Sequence, residues 1–113
     1  MRLAPFAAAL VLLSLGGCDF GDNVSSIEVS LSNESAVATH LLTDSEDFSP
    51  SNRVEPGMGR TRRVPYRLDE ANPEATFRGG RNGVVIATVT CPIFGSTGQF
   101  VVVFNANETM SCP

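Results

Sequence analysis

The chain has 113 residues, with eight basic and twelve acidic side chains and a net charge of −4. That length allows one small domain with a modest core, and the acidic balance argues against nucleic acid as a partner. All the basic residues are arginine, which fits a GC-rich coding sequence better than selection for a phosphate site.

The first element is a targeting segment. Arg2 is followed by an apolar run, Leu3 to Leu15, interrupted by Ser14 alone. Thirteen residues are too few to span a bilayer, which takes ~20. The run ends in Leu15-Gly16-Gly17-Cys18. An ordinary secretory signal favours a small-x-small cleavage pattern, whereas Leu-Gly-Gly-Cys resembles the signal of bacterial lipoproteins. The resemblance covers residues 1–18. It implies removal of residues 1–17, a diacylglyceryl thioether on Cys18, and in many bacteria a further acyl chain on its amino group. One acyl chain holds marginally and two or three hold stably. The expected location is therefore the cell envelope, lipid-anchored and facing the periplasm, and Asp19 tilts the expectation toward the inner membrane. Processing would leave 96 residues carrying seven arginines and twelve acids. Lipid on Cys18, not protein charge, is then the expected link to the membrane.

Residues 18–25 read as lipidated cysteine and tether, and 26–113 as the folded domain. Ile27, Val29 and Leu31 alternate with polar residues, the period-two pattern of a half-buried strand. Asn33-Glu34-Ser35 is a predicted turn. Residues 36–42 form a second predicted strand, with Val37, Thr39 and Leu41 on one face and His40 on the other. Residues 43–52 are a polar loop that Phe48 should anchor. Glu55-Pro56-Gly57-Met58 fits a type II turn, with Pro at i+1 and Gly at i+2. Residues 60–68 alternate again, placing Val64, Tyr66 and Leu68 inward. Pro65 lacks an N–H, so that strand belongs at a sheet edge.

Phe77 points inward from a short strand, and residues 79–83 (GGRNG) reverse the chain, with Asn82-Gly83 suited to a tight hairpin. Residues 84–91 and 99–104 are apolar on both faces and read as central strands. A loop at 92–98 separates them, and 108–112 closes the chain. About seven short strands with regular turn signals predict an all-β fold, a small antiparallel β-sandwich. The strand rhythm resembles small immunoglobulin-like or fibronectin-like domains of envelope lipoproteins; the resemblance is architectural and assigns no residue a role.

With Cys18 lipidated, Cys91 and Cys112 are an even pair in an oxidising compartment, where a disulfide is the default. The expected bond ties the start of a C-terminal three-strand meander to its end, within one unit.

Candidate chemistry is sparse. His40 could act as a base with Ser45 or Ser49 as nucleophile and Asp44 or Asp47 as orienting carboxylate. No G-x-S-x-G surrounds a serine, so no catalytic residue is assigned and no enzyme is expected. Asp44, Glu46 and Asp47 lack the D-x-[DN]-x-[DN]-G pattern and read as a solvated acidic loop; no metal or other cofactor is expected. Arg60, Arg62, Arg63 and Arg67 form the basic concentration of the chain, beside an edge strand. Edge charges discourage aggregation, and the same patch is the surface where a partner contact is expected. The N-x-S/T matches at Asn33 and Asn107 read as turn chemistry.

The expectation is an accessory or binding module without catalysis, held by lipid, monomeric, and contacting a neighbouring envelope protein or glycan. The alternative is a periplasmic inhibitor of a lytic or proteolytic enzyme, working through a protruding loop at 44–51 or 93–98.

Overall fold

The computed structural model describes residues 23–93 and 100–113. The signal segment, Cys18 and most of the expected tether lie outside the described residues, as does most of the loop expected at 92–98.

The described chain is a β-sandwich of two four-stranded sheets. Its strands are β1 (Val24–Asn33), β2 (Thr39–Thr43), β3 (Arg53–Val54), β4 (Gly59–Arg67), β5 (Glu74–Arg81), β6 (Val84–Pro92), β7 (Phe100–Phe104) and β8 (Met110–Ser111). One sheet has the order β4-β1-β7-β8 and the other β3-β2-β5-β6. Pairing is antiparallel throughout except between β1 and β7, which run parallel from Val29↔Phe100 to Asn33↔Phe104.

β1 begins at Val24, two residues before the expected start of the domain, and is flanked on both sides. It runs from the end of the sandwich where the expected tether would enter (the tether end) to the far end, a distance of roughly 33 Å at ~3.3 Å per residue. Alternation decides its faces: Val29 and Leu31 are fully buried, while Glu28 is exposed. The core joins them to Leu41, Val54, Phe77, Cys91, Ile93, Phe100, Val102 and Phe104. Apolar burial of this kind contributes roughly 25 cal/mol per Å².

The turns predicted at 55–58 and 82–83 have the expected geometry. Gly57 adopts φ 78° and the Met58 N–H donates to the Glu55 carbonyl at 3.0 Å, as a type II turn requires. Asn82 and Gly83 adopt φ 54° and 76°, two positive values in succession between β5 and β6, the signature of a type I′ hairpin.

Other expectations are corrected. Gly79 and Gly80 belong to β5, not to the chain reversal. Their missing side chains serve close approach: a Cβ on Gly79 would stand 2.5 Å from the Phe104 ring inside the sandwich. A Cβ on Gly80 would stand 2.7 Å from the Phe48 ring outside it. Asn33 ends β1 fully buried, and its Oδ1 accepts the Ser35 N–H at 3.0 Å to begin the expected turn, whereas Val37 and Leu68 are 51% and 57% exposed rather than inward. Val37 precedes β2, and Leu68 follows β4, so neither is held by strand alternation.

The C-terminal strands are not a meander. β6 ends the second sheet, whereas β7 and β8 belong to the first. Consequently the Cys91–Cys112 disulfide, with Cα atoms 5.7 Å apart, joins the two sheets rather than strands of one unit. β6 is also an edge strand, not a central one. The apolar residues on its second face are not covered by a neighbouring strand.

Candidate functional site

The two long edge strands, β4 and β6, lie on opposite flanks of the sandwich and treat their edges in opposite ways. On the β4 flank, β3 covers β2 at Thr39 and His40, and among the described residues no strand pairs with the rest of the β2 edge. Side chains complete it. Arg60 projects from β4 and donates through Nη1 to the Leu41 carbonyl (2.6 Å) and to Glu46 Oε1 (2.9 Å), and through Nη2 to Glu46 Oε2 (3.0 Å). Glu46 Oε1 accepts the Thr43 N–H at 2.9 Å, and Arg62 Nε stands 3.3 Å from Glu46 Oε2. The carboxylate and the Arg60 guanidinium are largely shielded, at 16% and 14% exposure. Hydrogen bonds from Arg60 hold the Glu46 carboxyl at about 2, against an ordinary 4.5. The Thr43 N–H and the charges of Arg60 and Arg62 add to the lowering, and burial opposes it.

The loop carrying Glu46 folds over the outer face of the second sheet. Arg78 donates through Nη2 to the carbonyls of Thr43 (3.0 Å) and Glu46 (2.5 Å). Phe48 lies against Gly80, as its anchoring role requires, with His40 edge-on to its ring at 5.5 Å between centroids. Asn52, almost fully buried, knits the rest: its Oδ1 meets His40 Nδ1 at 2.8 Å and accepts the Ser49 N–H, while its Nδ2 donates to the Asp47 carbonyl.

Sequence reasoning did not single out Asn52. Buried amides that satisfy loop backbone groups leave no periodic signal. The sequence candidates are thereby distributed among structural contacts. His40 holds Asn52, Ser49 Oγ meets Ser51 Oγ at 2.7 Å, and Glu46 is ringed by arginines. Among the described residues no three His, Cys, Asp or Glu side chains converge on a point that could hold a metal. The loop at 44–51 is held at Glu46 and Phe48, while Asp44, Ser45, Asp47, Pro50 and Ser51 are exposed.

The four arginines of the expected patch divide by strand alternation. Arg60 and Arg62 share the face that turns toward Glu46. Arg63 and Arg67 face outward, Arg63 donating to Ser26 Oγ at 3.2 Å with Glu28 at 3.9 Å, and Arg67 gripping Asp69 through two hydrogen bonds. The Arg67 hydrogen bonds lower the Asp69 carboxyl below its ordinary value. A cleft of about 290 Å³ opens between β4 and the tether ends of β2 and β5, bordered by Asp44, Arg62, Val64, Glu74 and Phe77. That volume sits at the low end for a ligand pocket.

At the far end a polar plug closes the sandwich. Asn33 donates to the carbonyls of Val37 and Val54 and accepts from the Ser35 N–H and hydroxyl. Arg81 reaches over the Phe104 ring to Thr39, Ser35 and Glu108. These bonds satisfy polar groups that would otherwise be costly to bury.

β6 differs from all of this. From Val84 to Pro92 it carries no charge, and among the described residues its outer edge pairs with no strand. Val84, Val85 and Ile86 are consecutive and 63%, 41% and 39% exposed. A register shift opposite Gly79/Gly80 leaves Ile86 without a partner on β5, a bulge that turns it toward solvent. Exposed apolar runs of this length are unfavourable unless they serve a contact.

Neither a protein-family model, a curated protein nor a solved structure matches the chain significantly.

Proposed function

We propose that the protein is a lipid-anchored, non-catalytic binding module of the bacterial cell envelope that takes up a segment of a neighbouring envelope protein. The observation that carries this reading is the β6 edge, uncharged along its whole length and displaying Val84, Val85 and Ile86 to solvent. Natural edge strands are guarded by charge, proline, bulges or covering elements; β6 has its bulge at Ile86 and its proline at Pro92, and the uncharged stretch between them is a template for strand addition. Backbone groups and small apolar side chains suit a protein strand better than a glycan. Arg60 and Arg62 are engaged within the molecule, which moves the proposed contact from the arginine-bearing edge to β6.

The Leu-Gly-Gly-Cys run supports the anchoring, and the structural role of His40 beside Asn52 supports binding over catalysis. A photo-crosslinking residue at Thr88 on β6 should capture an envelope protein in cells, and one at Thr61 on β4 should not. Capture from Thr61 alone, or loss of the cellular phenotype on His40→Ala, would overturn the reading.

A further inference from the structure

Among the described residues the exposed large hydrophobic side chains fall into two groups. Val37, Met58, Val84, Val85 and Ile86 lie toward the far end, and Val24 and Leu68 at the tether end. The second pair is local: Val24 opposes Arg67 in the β1–β4 ladder, and the next residue, Leu68, donates its N–H to the Asn23 carbonyl at 3.0 Å. Val24 is 48% exposed and Leu68 57%.

We infer that Val24 and Leu68 form a seat that inserts into the interface of the bilayer holding the lipidated Cys18. The inference rests on the anchoring reading above. Its basis is chain length. Asn23 is already bonded to the domain, so the path from Cys18 to Asn23 reaches at most ~18 Å, five residues fully extended. β1 continues directly from that tether as a central strand, so the end of the sandwich bearing Val24 and Leu68 is the end that meets the membrane. A short tether keeps these side chains at high effective concentration against the lipid, where even a small apolar seat is occupied.

Charge fixes the kind of surface. Arg67 at this end is neutralised by Asp69, while Glu70 beside it and Asp19 and Asp22 in the tether are acidic. The seat therefore suits a zwitterionic lipid surface and is opposed by an anionic one. Seated this way, the sandwich holds the hairpin between β5 and β6 roughly 30 Å from the head groups, with the β6 edge facing neighbours in the same membrane.

The chain contains no tryptophan, so a single introduced indole reports its own depth. Leu68→Trp and, as a far-end control, Met58→Trp are placed at exposed positions of the full lipidated protein. Each is reconstituted into vesicles of phosphatidylcholine brominated on its acyl chains. The mass of each chain is measured first, and a chain without diacylglyceryl at Cys18 overturns the anchoring and the seat together. For the lipidated chain, L68W emission should shift to the blue and be quenched by the bromines, and M58W emission should do neither. Equal behaviour of L68W and M58W overturns the seat and leaves the anchoring intact. Replacing a third of the lipid with phosphatidylglycerol should relieve the quenching of L68W; quenching that deepens instead would mean charge-driven docking and also overturns the apolar seat.

Discussion

β4 and β6 are nine-residue strands at the ends of different sheets, and they show two ways to finish a sheet. β4 carries four arginines and Pro65, and two of those arginines reach across to Glu46 to close the β2 edge with side chains. β6 carries no charge; its flank is held by a covalent bond, Cys91 to Cys112, which binds the two sheets together while leaving the β6 edge open. Stability and accessibility are thus separated. An ionic closure occupies the backbone groups it protects, whereas a disulfide directed inward from Cys91 stabilises the flank without covering it.

The largest effect should come from the covalent flank. Cys112→Ser removes a crosslink between residues 21 apart, worth roughly 3 kcal/mol by the chain-entropy argument. For a domain of this size that lowers Tm by more than about 10 °C. Reduction of the wild type should match it, and thiol labelling of the unreduced, denatured protein should find neither Cys91 nor Cys112 free. A Tm that reduction leaves unchanged would place the burden of this flank on packing alone.

The ionic flank should come second, and it should depend on pH. Glu46 titrates near 2 when folded and near 4.5 when unfolded. Its contribution is therefore complete above about 4.5 and lost as pH falls toward about 2. Discounted for partial solvent screening, the loss is about 2 kcal/mol. Denaturant unfolding at pH 7, 4 and 2.5 should show the wild type losing this much relative to Glu46→Gln, whose curve is flatter. Arg60→Ala at pH 7 leaves the shielded carboxylate short of partners and should cost about 2–3 kcal/mol. His40→Ala, which removes one partner of Asn52 from the same loop, should cost about 1 kcal/mol.

The contrast between the edges also marks what a single sequence discloses. The alternation of β1, the two turns at Gly57 and Asn82-Gly83, and the edge position of β4 follow from local chemistry, because period-two patterning, positive φ and the missing N–H of Pro65 act within a few residues. The Cys91–Cys112 pairing was legible by elimination, but the sheets it joins were not. Adjacency in sequence suggested a meander, and the chain instead crosses between sheets after β6, allowing β7 to pair in parallel with β1. The partly apolar second face of β6 points to a central strand, although β6 lies at an edge. The exposed run Val84-Val85-Ile86 and a buried run look the same in sequence. Likewise Glu46 appeared as one acid of a solvated loop, since the arginines that close on it come from fourteen and sixteen residues away.

The smallest effect on stability tests the comparison most directly. Ile86→Lys places a charge at the bulge of β6, where Ile86 is 39% exposed and the aliphatic stem of a lysine keeps much of its contact, and should change unfolding free energy by no more than about 0.5 kcal/mol. It also converts β6 into an edge guarded as β4 is, since an added strand would have to accommodate the ammonium group. Partner capture by the Thr88 crosslinker should therefore fall while Tm holds. The mirror experiment is Arg63→Val with Arg67→Val, which strips outward charge from β4. Light scattering should then show self-association absent from the wild type, although Pro65 still interrupts the ladder. If charge reversal at Arg63 and Arg67 abolishes capture and Ile86→Lys leaves it intact, the contact lies on the arginine edge. The open flank would then be a tolerated exposure, and on the proposed anchoring it is kept from self-pairing, because antiparallel pairing of two upright β6 strands sets their tethers at opposite ends.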